Sequence, residues 1–212
     1  MAYQQPLSEK EGLRLIQEMI RIAKQEQKDD GKGWIVWGWL LFLASLCSVF
    51  NIVMHWNLFP YDFWIAFAIL STAYIIYVLW QHNFRKKKAE VKTYSGDILQ
   101  MLNTGFVVSM LLVNTAINLN ILPVNTGFIM LINLYAFRIL IQGSVLNFRA
   151  FIIGAIICWA MALAGVFLKS FVAIMVVHAI SALFGFIIPG HLVNQDFNKS
   201  KFMFNKVNPL RV

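Results

Sequence analysis

The chain has 212 residues, of which 59% are hydrophobic and only 13% are charged, and its formal net charge is +8. Soluble domains are usually about 45–50% apolar and about 25% charged, so this composition indicates an integral membrane protein. It excludes a soluble enzyme, an ordinary basic nucleic-acid-binding protein and a disordered chain. Cys47 and Cys158 both lie in apolar runs and belong to no Cys/His cluster, so we predict no metal and no cofactor.

Residues 1–32 predict an amphipathic helix and a turn on the cytoplasmic side of the membrane. Ser8 and Glu11 have the spacing of a capping box, and apolar and charged side chains then occupy opposite halves of the helix. The apolar face includes Leu13, Leu15, Ile16, Met19, Ile20 and Ala23. This face can lie on the membrane interface, bind a protein partner or a second copy of the chain, or cover the inner ends of the spans.

Six apolar runs follow, each near the length of about 20 residues that crosses a bilayer as a helix. They cover approximately residues 34–56, 61–80, 98–118, 126–145, 150–168 and 171–188. Because the runs are unbroken rather than alternating, we expect helices and not a closed barrel. The expected breaks lie at Pro60, at Pro123, at residues 169–170 and at residues 189–190, where Pro-Gly ends the last run. The first run has no preceding signal peptide, so we expect it to be an uncleaved anchor.

The predicted fold is therefore all-α, with a six-helix transmembrane domain at residues 33–190. If six spans are present, every Lys and Arg except Arg138 and Lys169 falls on one side of the membrane. The positive-inside rule makes that side cytoplasmic, so both termini are expected in the cytoplasm. Residues 191–212 form a basic and aromatic tail, which we expect to adhere to the anionic inner leaflet rather than bind nucleic acid.

Arg138 is the one charge deep within a predicted span, and no Asp or Glu lies in the body of any span. Tyr135 and Gln142 share its helix face at positions i−3 and i+4. Ionisable residues in a membrane are functional candidates because burying them is costly. Arg138 can snorkel to the inner surface, contact an anionic solute inside the bundle, or pair with the third span near Asn103.

Other polar groups within the spans include several amides and one histidine. Asn103, Asn114 and Asn118 lie on one face of the third span, where they either pack against neighbouring helices or line a polar pathway. His178, near the middle of the sixth span, is expected to be a hydrogen-bonded packing residue, with proton sensing as the alternative. Its depth differs from that of His55 by about 10 Å, which disfavours haem ligation between them.

Small residues recur every fourth position in the fifth span, at 150, 154, 158 and 162. A similar ladder lies at 181, 185 and 189 in the sixth span. Such ladders let neighbouring helices approach closely, so we expect the fifth and sixth spans to pack against each other.

Residues 147–159 and 187–192, together with Trp-Gly-Trp at 37–39, resemble a group of bacterial multi-pass membrane proteins that has no assigned activity. The resemblance extends over most of the chain and implies the bacterial inner membrane. The sequence contains no carboxylate pair, GxSxG or HExxH motif, so an enzyme is not expected. We predict an accessory, regulatory or scaffold component that acts through its N-terminal helix and tail. The alternative is a small-solute transporter or channel with a polar path between the third and fourth spans.

Overall fold

A computed structural model describes residues 30–56, 58, 62–85 and 94–207, and every regular element in these ranges is helical. The predicted amphipathic helix and its apolar face lie outside the described residues. The elements are α1 (Lys32–Val53), α2 (Asp62–Arg85), α3 (Tyr94–Asn118), α4 (Val124–Val145), α5 (Arg149–Val166), α6 (Phe171–Ala182), a π-helical segment (Leu183–Ile187) and α7 (Ile188–Val207).

Five helical stretches in the described residues are long and apolar enough to cross a membrane, which is compatible with a multi-pass membrane protein. They are Lys32–Val53, Ile98–Asn118, Val124–Val145, Arg149–Val166 and Phe171–Ser200. The prediction of a sixth span at residues 61–80 is not confirmed. Helix α2 is 24 residues long there, and the apolar stretch found among its described residues, Phe63–Tyr74, is shorter than a membrane span.

The breaks predicted at Pro123 and at residues 169–170 are confirmed. Helix α3 ends at Asn118, and the amides of Ile121 and Leu122 both donate to the carbonyl oxygen of Ala116. Asn120 has a φ of 56°, a left-handed conformation that asparagine tolerates better than most residues. Pro123 then precedes α4 in an extended conformation.

The prediction that Pro189-Gly190 ends the last apolar run is wrong. Helix α6 continues through the π-helical segment into α7, which runs to Val207 and contains Pro189 near its beginning. Proline lacks an N–H and clashes with the carbonyl four residues earlier in a regular α-helix. The wider π-helical turn immediately before Pro189 changes that spacing, so the helix continues past the proline. The described part of the predicted tail, residues 191–207, is therefore helical.

The centre of the bundle is α6 with the π-helical segment, which packs against α1, α4 and α5. Helix α4 makes its largest contact with α5, and α3 packs mainly on α4. The most deeply buried large side chains of this core include Leu41, Ile132, Tyr135, Phe151, Ile174 and Phe186. Helix α3 is thus the most peripheral of the membrane-length helices, with only 6% of its apolar window buried.

The predicted packing between the small-residue ladders is confirmed. The Sγ of Cys158 lies 3.4 Å from the carbonyl oxygen of Ser181. A Cβ placed on Gly154 would lie only 2.7 Å from the carbonyl oxygen of Phe184, and one on Gly185 would lie 2.7 Å from Cys158 Sγ. These glycines therefore permit a backbone approach that a larger residue would prevent.

Two hydrogen bonds define the two ends of the bundle. The Asn194 side-chain amide donates to the carbonyl oxygen of Asp30 at 2.6 Å, which joins α7 to the residues before α1. The Asn125 amide donates to the carbonyl oxygen of Lys169 at 2.8 Å, which joins the turns before α4 and α6. The beginning of α1 and the first half of α7 consequently lie at the same end of the bundle.

Candidate functional site

A cavity of about 550 Å³ lies between the first half of α3 and the second half of α4, with one wall provided by the first turn of α1. Pockets of about 300–1,000 Å³ are typical of small-molecule sites. The cavity is lined by Trp34, Leu99, Gln100, Met101, Leu102, Asn103, Gly105, Phe106, Ser109, Leu134, Phe137, Arg138, Ile141 and Gln142. It lies toward the end of the bundle that is marked by the Asp30–Asn194 hydrogen bond.

Arg138 is the central side chain of this cavity. Its guanidinium carbon lies 4.7 Å from the ring centroid of Trp34 and 4.7 Å from that of Phe106. A cation over an aromatic face gains about 0.5–2 kcal/mol, depending on its desolvation. Arg138 is half-buried, while both rings are buried. The charge is therefore held in the cavity wall by aromatic rings from α1 and α3.

The Trp34 ring is itself fixed by the core. Its centroid lies 4.8 Å from that of Phe151 in α5 and 5.6 Å from that of Phe186 in the π-helical segment. On the opposite side of the cavity, the Phe106 ring lies 6.1 Å from the buried Tyr135 ring. The rings that position Arg138 thus belong to the rigid part of the bundle, so the site is largely preformed.

The polar groups of the cavity lie around Arg138. Arg138 is the cationic side chain among the lining residues that the structure describes, and both it and Gln142 have interaction partners besides the ring contacts. The amides of Gln100, Asn103 and Gln142 add hydrogen-bonding groups near this charge, and Ser109 adds a hydroxyl. A guanidinium with neighbouring amide donors is a suitable environment for a carboxylate or a phosphate.

The structure brings together three of the residues singled out from the sequence, namely Asn103, Arg138 and Gln142. Asn114 and Asn118 lie outside this cavity. Each donates instead to the backbone of its own helix, at 2.8 Å from the carbonyl oxygens of Met110 and Asn114 respectively. The polar character of the α3–α4 contact is therefore concentrated in one half of the bundle.

Tyr135 and His178 belong to the core and not to the cavity lining. Both are fully buried, and their ring centroids are 5.5 Å apart. His55, by contrast, is exposed after the end of α1. The described residues contain no group of three or more His, Cys, Asp or Glu side chains arranged to hold a metal ion.

Sequence reasoning missed Trp34 and Phe106 as site residues. Trp34 lies where an interfacial aromatic residue is expected, so nothing in the sequence distinguishes it from its neighbours Trp37 and Trp39. Phe106 follows Asn103 by three positions and therefore shares its helix face, which is the one sequence signal that links it to the site.

Comparison of the chain with protein-family models, with curated proteins and with solved structures gives no match.

Proposed function

We propose that the chain is a non-enzymatic integral membrane protein that binds a small anionic solute in the Arg138 cavity as the recognition step of a carrier. The observation that carries this proposal is the Arg138 guanidinium, held over two aromatic rings in a cavity of about 550 Å³. Its N–H donors and the neighbouring amides of Asn103 and Gln142 match the acceptor oxygens of a carboxylate or a phosphate.

The proposed topology has six crossings of the bacterial inner membrane, with both termini in the cytoplasm. The contact between Asn194 and Asp30 supports an even number of crossings, because it places the beginning of α1 and the first half of α7 at one end. The distribution of Lys and Arg along the sequence supports a cytoplasmic position for that end. The Arg138 cavity would then lie on the cytoplasmic half of the bilayer.

The test is solute uptake by proteoliposomes that contain the purified protein. We would measure uptake of radiolabelled inorganic phosphate, acetate and butyl phosphate by the wild-type protein, Arg138→Gln and Arg149→Gln. Arg149 is an exposed arginine at the beginning of α5 and does not line the cavity, so it is a matched control for loss of one positive charge. Uptake of at least one anion by the wild type and Arg149→Gln, and its loss in Arg138→Gln, would support a carrier. Equal uptake by the wild type and Arg138→Gln would refute it.

A second candidate function is an accessory, regulatory or scaffold role through the cytoplasmic segments. The Asp30–Asn194 hydrogen bond supports it, because Asp30 directly follows residues 1–29 in the sequence and contacts α7. The test replaces Leu15, Ile16, Met19 and Ile20 with Ser and asks which proteins co-purify. A partner lost in this variant, and retained in Arg138→Gln, would favour the scaffold role. An unchanged set of co-purified proteins would count against it.

A further inference from the structure

The π-helical segment places α7 one residue out of register with α6. The amide of Ile188 donates to the carbonyl oxygen of Leu183, five residues earlier rather than the four of an α-helix. The segment therefore holds one residue more than an α-helical turn. Because each residue of an α-helix turns the chain by about 100°, closing the segment into an α-helix would rotate α7 by about 100° and advance it by about 1.5 Å.

Pro189 holds the segment in its wider form. An α-helical turn at this point needs an amide proton on residue 189, and it would press a proline ring against the carbonyl oxygen of Gly185. The ring is fully buried and lies beside α5, where a Cβ placed on Gly154 would be 3.4 Å from Pro189 Cγ. The core therefore fixes the residue that opposes closure.

Two neighbouring helices accept the wider segment through glycines. A Cβ placed on Gly38 of α1 would lie 2.8 Å from the Cβ of Phe186. One placed on Gly154 of α5 would lie 2.7 Å from the carbonyl oxygen of Phe184. The segment thus occupies space that side chains of α1 and α5 would otherwise fill, so its wider form is matched by its neighbours on two sides.

The register of α7 decides which of its residues meet the beginning of α1. Gly190 lies against α1, where a Cβ would be 3.1 Å from the Cβ of Trp34 and 3.0 Å from Cγ1 of Ile35. One turn later, the Asn194 amide donates to the carbonyl oxygen of Asp30. Both contacts require the register that the π-helical segment gives.

An α-helical register would replace both contacts, because each residue of α7 would move to the place that its successor holds now. Pro189 would take the place of Gly190, where even a single Cβ meets an atom at 3.0 Å. Val193 would take the place of Asn194, and a valine side chain cannot donate a hydrogen bond. Leu192, which is 42% exposed, would move to the place of Val193, which is 7% exposed.

We propose that the π-helical segment and Pro189 form a rotational lock, which holds one face of α7 against the beginning of α1. Trp34 joins this lock to the Arg138 cavity, because its Cβ faces Gly190 and its ring lies 4.7 Å from the Arg138 guanidinium carbon. A turn of α7 would therefore displace a wall of the cavity. The lock does not depend on whether the cavity binds an anion, so its test is separate from that of the proposed function.

The experiment measures the rate at which a soluble maleimide labels Leu192→Cys in the full-length protein in detergent. The rate is compared in the wild-type background, in Pro189→Ala and in Pro189→Gly. Both substitutions restore the amide proton, but only glycine lacks the Cβ that would collide in the place of Gly190. Pro189→Gly should therefore let α7 turn and slow labelling by about tenfold or more, because a buried cysteine reacts only after local opening. Pro189→Ala should label as the wild-type background does.

Deletion of Phe184 from the Pro189→Gly protein gives a second variant with the opposite expectation. Phe184 is 39% exposed, so its loss removes little from the core. Without it, the segment has the residue count of an α-helix, and an α-helical turn returns every residue of α7 to its present place. Labelling of Leu192→Cys should then recover to the rate in the wild-type background.

Unchanged labelling of Leu192→Cys in Pro189→Gly would overturn the lock, because the register would not depend on Pro189. Slow labelling that deletion of Phe184 does not reverse would also overturn it, because a turn by one residue could not be the cause. Val193→Cys covers local unfolding. If both cysteines label rapidly in Pro189→Gly, then α7 unfolds instead of turning, and the lock is again refuted.

Discussion

His178 in α6 and Ser45 in α1 form a hydrogen bond in the centre of the bundle, with 2.9 Å between His178 Nδ1 and Ser45 Oγ. Both residues are fully buried. The Ser45 hydroxyl also lies 2.7 Å from the carbonyl oxygen of Leu41, to which it donates when His178 carries its proton on Nδ1. The Nε2 atom has no hydrogen-bond partner among the described residues.

Ser45→Ala should therefore destabilise the protein. It leaves the His178 Nδ1 atom buried without its hydrogen-bond partner, which costs about 1–3 kcal/mol. For a chain of this size, each kcal/mol lowers the melting temperature by about 2–4 °C. Thermal unfolding of the purified protein in detergent would measure the difference.

Ser181→Ala is the matched control for this prediction. Ser181 is also fully buried, but its hydroxyl donates to the carbonyl oxygen of Val177 in its own helix, at 2.9 Å. That carbonyl has its helical partner as well, so the loss should be near the average of about 0.6 kcal/mol for membrane side-chain hydrogen bonds. If Ser45→Ala had the same melting temperature as Ser181→Ala or as the wild type, the result would contradict the hydrogen bond between α1 and α6.

Gly154→Ala should also destabilise the protein, through packing rather than hydrogen bonding. The added Cβ would lie 2.7 Å from the carbonyl oxygen of Phe184, which belongs to a backbone and cannot rotate away. Overpacking of this kind costs about 1–3 kcal/mol. Gly105→Ala is the control, because its Cβ meets nothing within 4 Å, and alanine favours a helix by about 1 kcal/mol. Equal melting temperatures for the two variants would refute close packing of α5 on the π-helical segment.

The apolar runs predicted most helices because a membrane span needs about 20 residues of low polarity, and composition alone reveals that. The bounds of α4 and α5 follow from Pro123 and from the polar residues Asn147 and Arg149. Continuation of the last helix through Pro189 could not be predicted in this way. It depends on a π-helical turn at Leu183–Ile187, in which Phe186 and Ile187 are buried in the core.

Arg138 was recognisable from the sequence because a charge in an apolar run is conspicuous, but its two aromatic partners were not. Spans are apolar on both the lipid side and the core side, so periodicity does not reveal which face of α1 or α3 turns toward α4. Trp34 and Phe106 line the site only because the helix faces that carry them turn toward α4. The same ambiguity explains why Asn103 reaches the cavity while Asn114 and Asn118 bond to their own helix.

The contact between Arg138 and Phe106 should be measurable as a coupling energy. In a double-mutant cycle of Phe106→Leu and Arg138→Gln, the two losses of stability should differ from additivity by about 0.5–2 kcal/mol, the range for a cation over an aromatic ring. Phe128→Leu with Arg138→Gln is the control cycle. Phe128 lies ten residues before Arg138 in α4, about 15 Å away, so the losses of stability from these two substitutions should add to within about 0.5 kcal/mol. Equal coupling in both cycles would contradict the ring contact.

Cysteine labelling can test the proposed orientation with two exposed positions. Lys169 precedes α6 and Arg149 begins α5, so a single membrane-length helix separates them. In intact cells, a membrane-impermeant maleimide should label Lys169→Cys and leave Arg149→Cys unlabelled until the membrane is permeabilised, because the excess of basic residues retains the Arg149 side in the cytoplasm. The wild-type chain gives the background, since its Cys47 is half-buried and its Cys158 is buried. Labelling of both positions in intact cells would show that α5 does not cross the bilayer, and the reverse pattern would place the Arg138 cavity on the outer half.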